Sequence, residues 1–166
     1  RAIITAPASV RSVGEAVMAA DRLLETAKAQ ADAQVSERNA REKAELMRQL
    51  GMDEGESATK ASRTMIRQLE EDQKRRSKRA LTDAIDRALI DLLAIYRDVL
   101  MVQVGGDGEL INTDLSDLVH EIAQDSAPRQ TLARVDHIET ARKRLVSNGN
   151  PLLVLEDMAI SLRPQA

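Results

Sequence analysis

Residues 77–104 read SKRALTDAIDRALIDLLAIYRDVLMVQV, and this stretch decides the fold class. Its large apolar residues fall at Leu81, Ile85, Leu89, Leu92, Tyr96 and Val99, with a second set at Ile90, Leu93, Leu100 and Met101. The spacing is helical and covers more than one face, so it predicts a helix of about 36 Å with neighbours on several sides. Asp83, Asp86, Arg87, Asp91, Arg97 and Asp98 occupy the narrow wet stripe, and Asp83 to Arg87 is an i to i+4 pair in the favourable direction. A helix this apolar needs walls, and the rest of the chain is read as supplying them.

The totals agree with a helical reading. The 166 residues suit one domain with a real core. There is one Tyr and no Phe or Trp, few Gly and Pro, and the apolar share is carried by Ala, Leu, Ile, Val and Met, a poor composition for strands. Charged residues make up 31% with a net of only −3, so any polyanion binding has to come from a local patch. No uncharged run approaches the roughly 20 residues that cross a bilayer, and the N-terminus lacks a signal-type apolar region. Cysteine is absent, which excludes disulfides and thiolate metal sites and fits a cytoplasmic location. The first residue is Arg, so the chain is expected to begin inside a larger protein.

Working outward, residues 1–8 (RAIITAPA) are expected to be a linker, because Pro7 pushes Ala6 out of the α region. Residues 9–166 are expected to form the helical domain. Ser12 opens S-V-G-E, a capping box with Glu15, with Ser9 as an alternative cap. Val13, Val17, Ala20, Leu24 and Ala27 then form an inward stripe, with Met18 and Leu23 at its edges. From Lys28 the helix continues on propensity, with Val35 its only large apolar residue until Leu46, Met47 and Leu50. GMDEGESATKAS from Gly51 reads as a turn, and a second helical run starts near Ala61 and enters the central helix without a breaker. Folding back at this turn sets Leu46, Met47 and Leu50 opposite Met65 and Ile66, and Leu23 and Leu24 opposite Leu89. The expectation is a helical hairpin whose base lies in the bundle and whose tip, residues 30–78, projects as a thin arm.

Beyond Val104, GGDGE breaks the helix. Asn112 or Thr113 is expected to cap a short helix with Leu115, Leu118, Val119 and Ile122 inward. Pro128 suits the first turn of the next helix, which places Leu132, Val135, Ile138 and Leu145 on one face and ends at Asn148-Gly149. Asn150 caps a last helix with Pro151 at its first position and an apolar face from Leu152, Leu153, Leu155, Met158, Ile160 and Leu162.

Catalytic signatures are not found. GGDGE lacks the lysine and strand of a phosphate-binding loop, Asp117-x-x-His120 occurs once where a carboxylate-bridged di-iron site needs two matched motifs, and no nucleophile with a partner base can be picked out. His120 and His137 read as surface or boundary residues. The chain is expected to need no cofactor and no metal. Lys74, Arg75, Arg76, Lys78 and Arg79 form the strongest charge run. They are candidates for nucleic-acid phosphate contact, although Glu70, Glu71 and Asp72 precede three of them by four residues and a self-paired, solvated face is the better-supported reading of the run. The lack of aromatics removes base stacking.

Three stretches carry a resemblance: SVGEAVMAADRLL at 12–24, IYRDVLMVQVG at 95–105 and LARVDHIETARKRLVSNGNPLLVLEDMAISL at 132–162. They resemble the C-terminal region of the delta prime family of bacterial DNA polymerase III clamp-loader subunits, in the form with an enlarged arm found in high-GC Gram-positive (actinobacterial) species. The resemblance implies a collar domain that packs beside equivalent domains of the tau/gamma and delta subunits, with ATPase-like and lid modules preceding Arg1 and a trans-acting arginine outside this chain. It implies a non-enzymatic role in DNA replication, with DNA met indirectly through the assembled loader. Asn148, Asn150, Pro151 and Glu156 carry over as structural motif positions only. Arg97 and Asp98, polar groups on an otherwise buried helix, are candidates for subunit contact, with an intramolecular bond closing the bundle as the alternative. Two other classes stay open at this stage: a stand-alone nucleic-acid-binding or adaptor protein using the basic arm, and a bundle enzyme with metal in its core.

Overall fold

The computed structural model describes residues 10–51, 59–106 and 108–163. The expected linker at 1–8, the alternative cap Ser9, residues 52–58 of the expected turn and the last three residues lie outside the described residues. Among the described residues there are five α-helices and no strand: α1 Val13–Gln49, α2 Lys60–Gln103, α3 Ser116–Gln124, α4 Pro128–Val146 and α5 Pro151–Ser161. The all-α bundle expected from composition and periodicity is the fold observed. At 37 and 44 residues, α1 and α2 are about 55 and 66 Å long. The chain divides into two compact units, one made of the chain up to Ala27 and from Ile85 onward, the other of Lys28–Ala84.

In the first unit the Ser12 capping box forms as its sequence predicts. The Glu15 N–H donates to the Ser12 hydroxyl at 3.2 Å, and the Glu15 carboxylate accepts from the Ser12 and Arg11 N–H groups. The Arg11 guanidinium reaches across to Glu121 and Asp125 of α3 at 3.0 and 3.1 Å, which fixes the direction from which the chain enters α1. The inward face of α1 is built mainly of small residues, Ala16, Ala19, Ala20 and Ala27, with Leu23 and Leu24, while Val13 and Met18 are about half exposed. On α2 the buried sector is Ile85, Leu89, Leu92, Ile95, Tyr96 and Val99, wide enough to confirm neighbours on more than one side. Ile90 is exposed, and Leu93, Leu100 and Met101 are half-buried.

The last two helices correct the sequence reading in detail. The buried face of α4 is Thr131, Arg134, Ile138, Ala141 and Leu145, whereas Leu132 is exposed. In α5, Val154, Leu155, Met158, Ala159 and Leu162 are buried and Leu153 is 62% exposed. Ile138 and Leu145 stay inward as read, but the rest of the inward face is made by alanines, a threonine and an arginine rather than by the leucines, and α4 and α5 pack on each other. Arg142 of α4 grips Asp86 of α2 with two hydrogen bonds, at 2.7 and 3.2 Å, and also holds Glu139 at 3.0 Å.

The second unit is an antiparallel helix pair with little to bury. Ala31 and Val35 of α1 pack against Ala80 of α2, with Leu81 at the edge. Polar side chains then take over. Gln73 donates to the Asn39 carbonyl at 2.9 Å, Arg76 donates to the Asn39 side chain and to Glu42 at 2.8 Å each, and Lys43 meets Glu70 at 3.2 Å. Farther along, Leu46, Met65 and Leu69 floor an open groove of about 400 Å³ whose rim carries Glu42, Glu45 and Asp72. Thr59 caps α2, accepting the Ser62 N–H at 3.1 Å. Gly51, with φ at +64°, follows the end of α1.

Candidate functional site

The polar residues of α2 sort themselves by burial. Asp98 is wholly buried, and its two oxygens accept four hydrogen bonds. One oxygen takes the Arg97 guanidinium at 2.8 Å and the Ile111 N–H at 3.1 Å; the other takes the Asn112 N–H at 2.8 Å and the Asn112 side-chain amide at 2.9 Å. Burial alone raises a carboxyl pKa, but the donors from Asn112, Ile111 and Arg97 outweigh it, and the Asp98 pKa lies below its usual value. The intramolecular closure weighed for this residue is formed: Asp98 ties the segment after α2 back onto the helix. Asn112 therefore spends its side chain on Asp98 rather than on capping, and the chain enters α3 through a 3₁₀ turn, Thr113–Leu115. Arg97 is half exposed. It also donates to the Glu109 carbonyl at 3.3 Å, so its guanidinium is held in place at the surface.

Beneath this site lie polar groups that periodicity does not reveal. Tyr96 is buried with no hydrogen-bond partner for its hydroxyl among the described residues, and burial pushes its pKa up to about 12, against an opposing pull from the charge of Arg134. Arg134 itself is 7% exposed. The Gln103 amide donates to the Ser126 carbonyl at 2.6 Å, pinning the end of α2 to the α3–α4 connection.

The α4–α5 junction combines a backbone turn with a side-chain cap. Asn148 adopts φ +62°, its N–H donates to the Leu145 carbonyl, and the Gly149 N–H reaches Arg144 at 2.8 Å, which together make a Schellman motif. A Cβ on Gly149 would sit 2.8 Å from the Arg144 carbonyl oxygen and 2.9 Å from Val154. Asn150 then accepts the Leu152 and Leu153 N–H groups at 3.0 and 3.3 Å, with Pro151 opening α5. Glu156 is half-buried in the first half of α5.

The basic run is split by the helix. Arg76 turns inward to Asn39 and Glu42, and Arg75 pairs with Asp72. Lys74, Lys78 and Arg79 are exposed. The expected ladder from Glu70, Glu71 and Asp72 to the residues four ahead is replaced: Glu70 meets Lys43, Glu71 meets Arg67, and Asp72 meets the residue three ahead. Among the described residues no group of three or more His, Asp or Glu side chains is arranged to hold a metal ion, and no helix is long and apolar enough to cross a membrane. His120 is exposed, with its Nδ1 2.7 Å from the Ser116 carbonyl oxygen of its own helix.

The class this geometry defines is a helical bundle protein whose polar contacts serve structure. Among characterised proteins, the chain is 35% identical over 72 residues to the DNA polymerase III subunit delta' of Bacillus subtilis (strain 168). That similarity covers 43% of this chain and 22% of the relative, so the matched stretch is about a fifth of the relative's length. No protein-family model matches, and no solved structure matches.

Proposed function

We propose that the bundle unit is a non-enzymatic assembly domain of a bacterial clamp loader, the collar part of a delta prime subunit. The partial identity to the Bacillus subtilis subunit carries this reading. The resemblance of residues 12–24, 95–105 and 132–162 to collar sequences supports it. In this reading the domain works in the cytoplasm beside the tau/gamma and delta subunits and meets DNA through the assembled loader. Its task is geometric: to hold a neighbour in a fixed orientation, as a bundle closed by Asp98, Arg142 and the Asn148–Asn150 junction is suited to do. Arg97, half exposed and held by Asp98 and Glu109, is the contact candidate that remains on the surface. Val13, Met18, Leu132 and Leu153 are exposed apolar residues of the same unit, of the kind that association covers.

Mixing this chain with the matching region of the tau/gamma subunit of the same organism, followed by gel filtration with light scattering, tests the reading. A mixed species with the summed mass is expected at micromolar concentration. Two separate species, also when the tau/gamma subunit is supplied at full length, would refute it.

A further inference from the structure

In the unit Lys28–Ala84, the two helices differ in their balance of positive and negative charge. Along α1 the cations are matched by acids within reach: Arg38 with Glu42, Arg41 with Glu37, Arg48 with Glu45, and Lys43 with Glu70 across the pair. Along α2 from Lys60 to Arg79 there are eight cations, Lys60, Arg63, Arg67, Lys74, Arg75, Arg76, Lys78 and Arg79, against Glu70, Glu71 and Asp72. Arg76 leaves this set because it faces α1. Lys60, Arg63, Arg67, Lys74 and Lys78 recur at steps of three, four, seven and four, so they share one face, and all are exposed. That face is opposite the one carrying Ser62, Leu69, Gln73, Arg76 and Ala80, which is turned to α1. Two acids lie on or beside the row between Arg67 and Lys74: Glu71, paired with Arg67, and Glu70, drawn to Lys43 across the pair, so the row keeps an excess of positive charge. The result is a straight cationic row about 27 Å long on a helix braced from behind.

We propose that this face of α2, Lys60 to Lys78, is a docking surface for the phosphate backbone of duplex nucleic acid. A duplex carries one charge per roughly 1.7 Å of its axis, so a straight row of cations meets phosphates wherever it lands and needs no particular sequence. A single strand is disfavoured because the chain has no Phe or Trp and its one Tyr is buried, which leaves no surface on which bases stack. An anionic membrane is disfavoured because the row has no apolar flank to insert: Leu69 faces the groove between the two helices. The proposal concerns this unit alone and does not depend on the assembly role of the bundle.

The test is binding of the 166-residue chain to a fluorescent duplex of about 20 base pairs by anisotropy, repeated across salt concentrations. With four of the cations engaged, affinity falls on the order of 100-fold between 50 and 200 mM salt. The variant Lys60→Gln, Arg63→Gln, Lys74→Gln, Lys78→Gln is expected to lose most of the binding and flatten the salt dependence. The equally neutralised Arg38→Gln, Arg41→Gln, Lys43→Gln, Arg48→Gln is expected to keep the wild-type slope. As a readout independent of variant folding, bound duplex should shield Lys60, Lys74 and Lys78 of the wild-type chain from acetylation and leave Lys43 reactive. No binding at 50 mM salt, equal losses in both variants, shielding that ignores the row, or binding to phosphatidylserine vesicles but not to duplex would each overturn the proposal.

Discussion

Asn112 gives two hydrogen bonds to a single oxygen of Asp98, one from its backbone N–H at 2.8 Å and one from its side-chain amide at 2.9 Å. With Ile111 and Arg97 on the other oxygen, a fully buried carboxylate organises the passage from α2 to α3. Replacing Asp98 by Ala strands three donors on the 111–112 segment and is expected to cost on the order of 3 kcal/mol in denaturant unfolding. Because the folded pKa of Asp98 is lowered, its contribution is present above the unfolded value of about 3.9 and is lost as pH falls through the lower folded value. The Asp98→Ala chain should therefore lose less stability than wild type on acidification below about pH 4.

Tyr96 is the chain's one tyrosine, so its ionisation can be followed directly by ultraviolet absorbance. With its pKa raised to about 12, the folded state holds the proton where the unfolded state, near 10, releases it. Stability should therefore fall as pH rises between about 10 and 12, by roughly 1.4 kcal/mol per unit. Tyr96→Phe removes a buried hydroxyl without a partner and should abolish this slope while gaining about 1 kcal/mol at neutral pH.

At the α4–α5 junction, Gly149→Ala drives a methyl group into the Arg144 carbonyl and Val154 and should cost more than Asn150→Ala, which removes a cap worth about 1 kcal/mol. Asn148→Gly, by contrast, suits the left-handed conformation and should cost less than Gly149→Ala. Thermal unfolding of the three variants checks the order.

In the helix pair, hydrogen bonds from Arg76 and then Arg38 hold the Glu42 pKa down to about 2. Its contribution to pairing is present above the unfolded value of about 4.3 and disappears as pH falls through about 2. Protection of the amides around Asn39 and Gln73, taken relative to the intrinsic exchange rate at each pH, should fall in that window, and Arg76→Gln should move the fall to higher pH.

Local chemistry was legible where one residue type has one job. Ser12 with Glu15, Asn150 with Pro151 and the long apolar sector of α2 all form as read. The reading slipped where a neighbour decides. Leu132 and Leu153 count as apolar in any pattern, yet Thr131, Ala141 and Ala159 take the buried positions of α4 and α5 and those leucines are exposed. Asn112 looks like a cap until Asp98, fourteen residues earlier, claims it. Glu70 could pair along its own helix, but Lys43 on the facing helix is within reach. Arg134 sits inside α4 without any sign in the spacing of charges.

The central claim is that the bundle unit, not the helix pair, meets the other subunits. Hydrogen–deuterium exchange of the whole chain, with and without the tau/gamma subunit, tests it most directly. The account predicts added protection in peptides from α1 before Ala27 and from residues 85–163, including the one bearing Arg97, and none between Lys28 and Ala84. Protection confined to Lys28–Ala84 would contradict it.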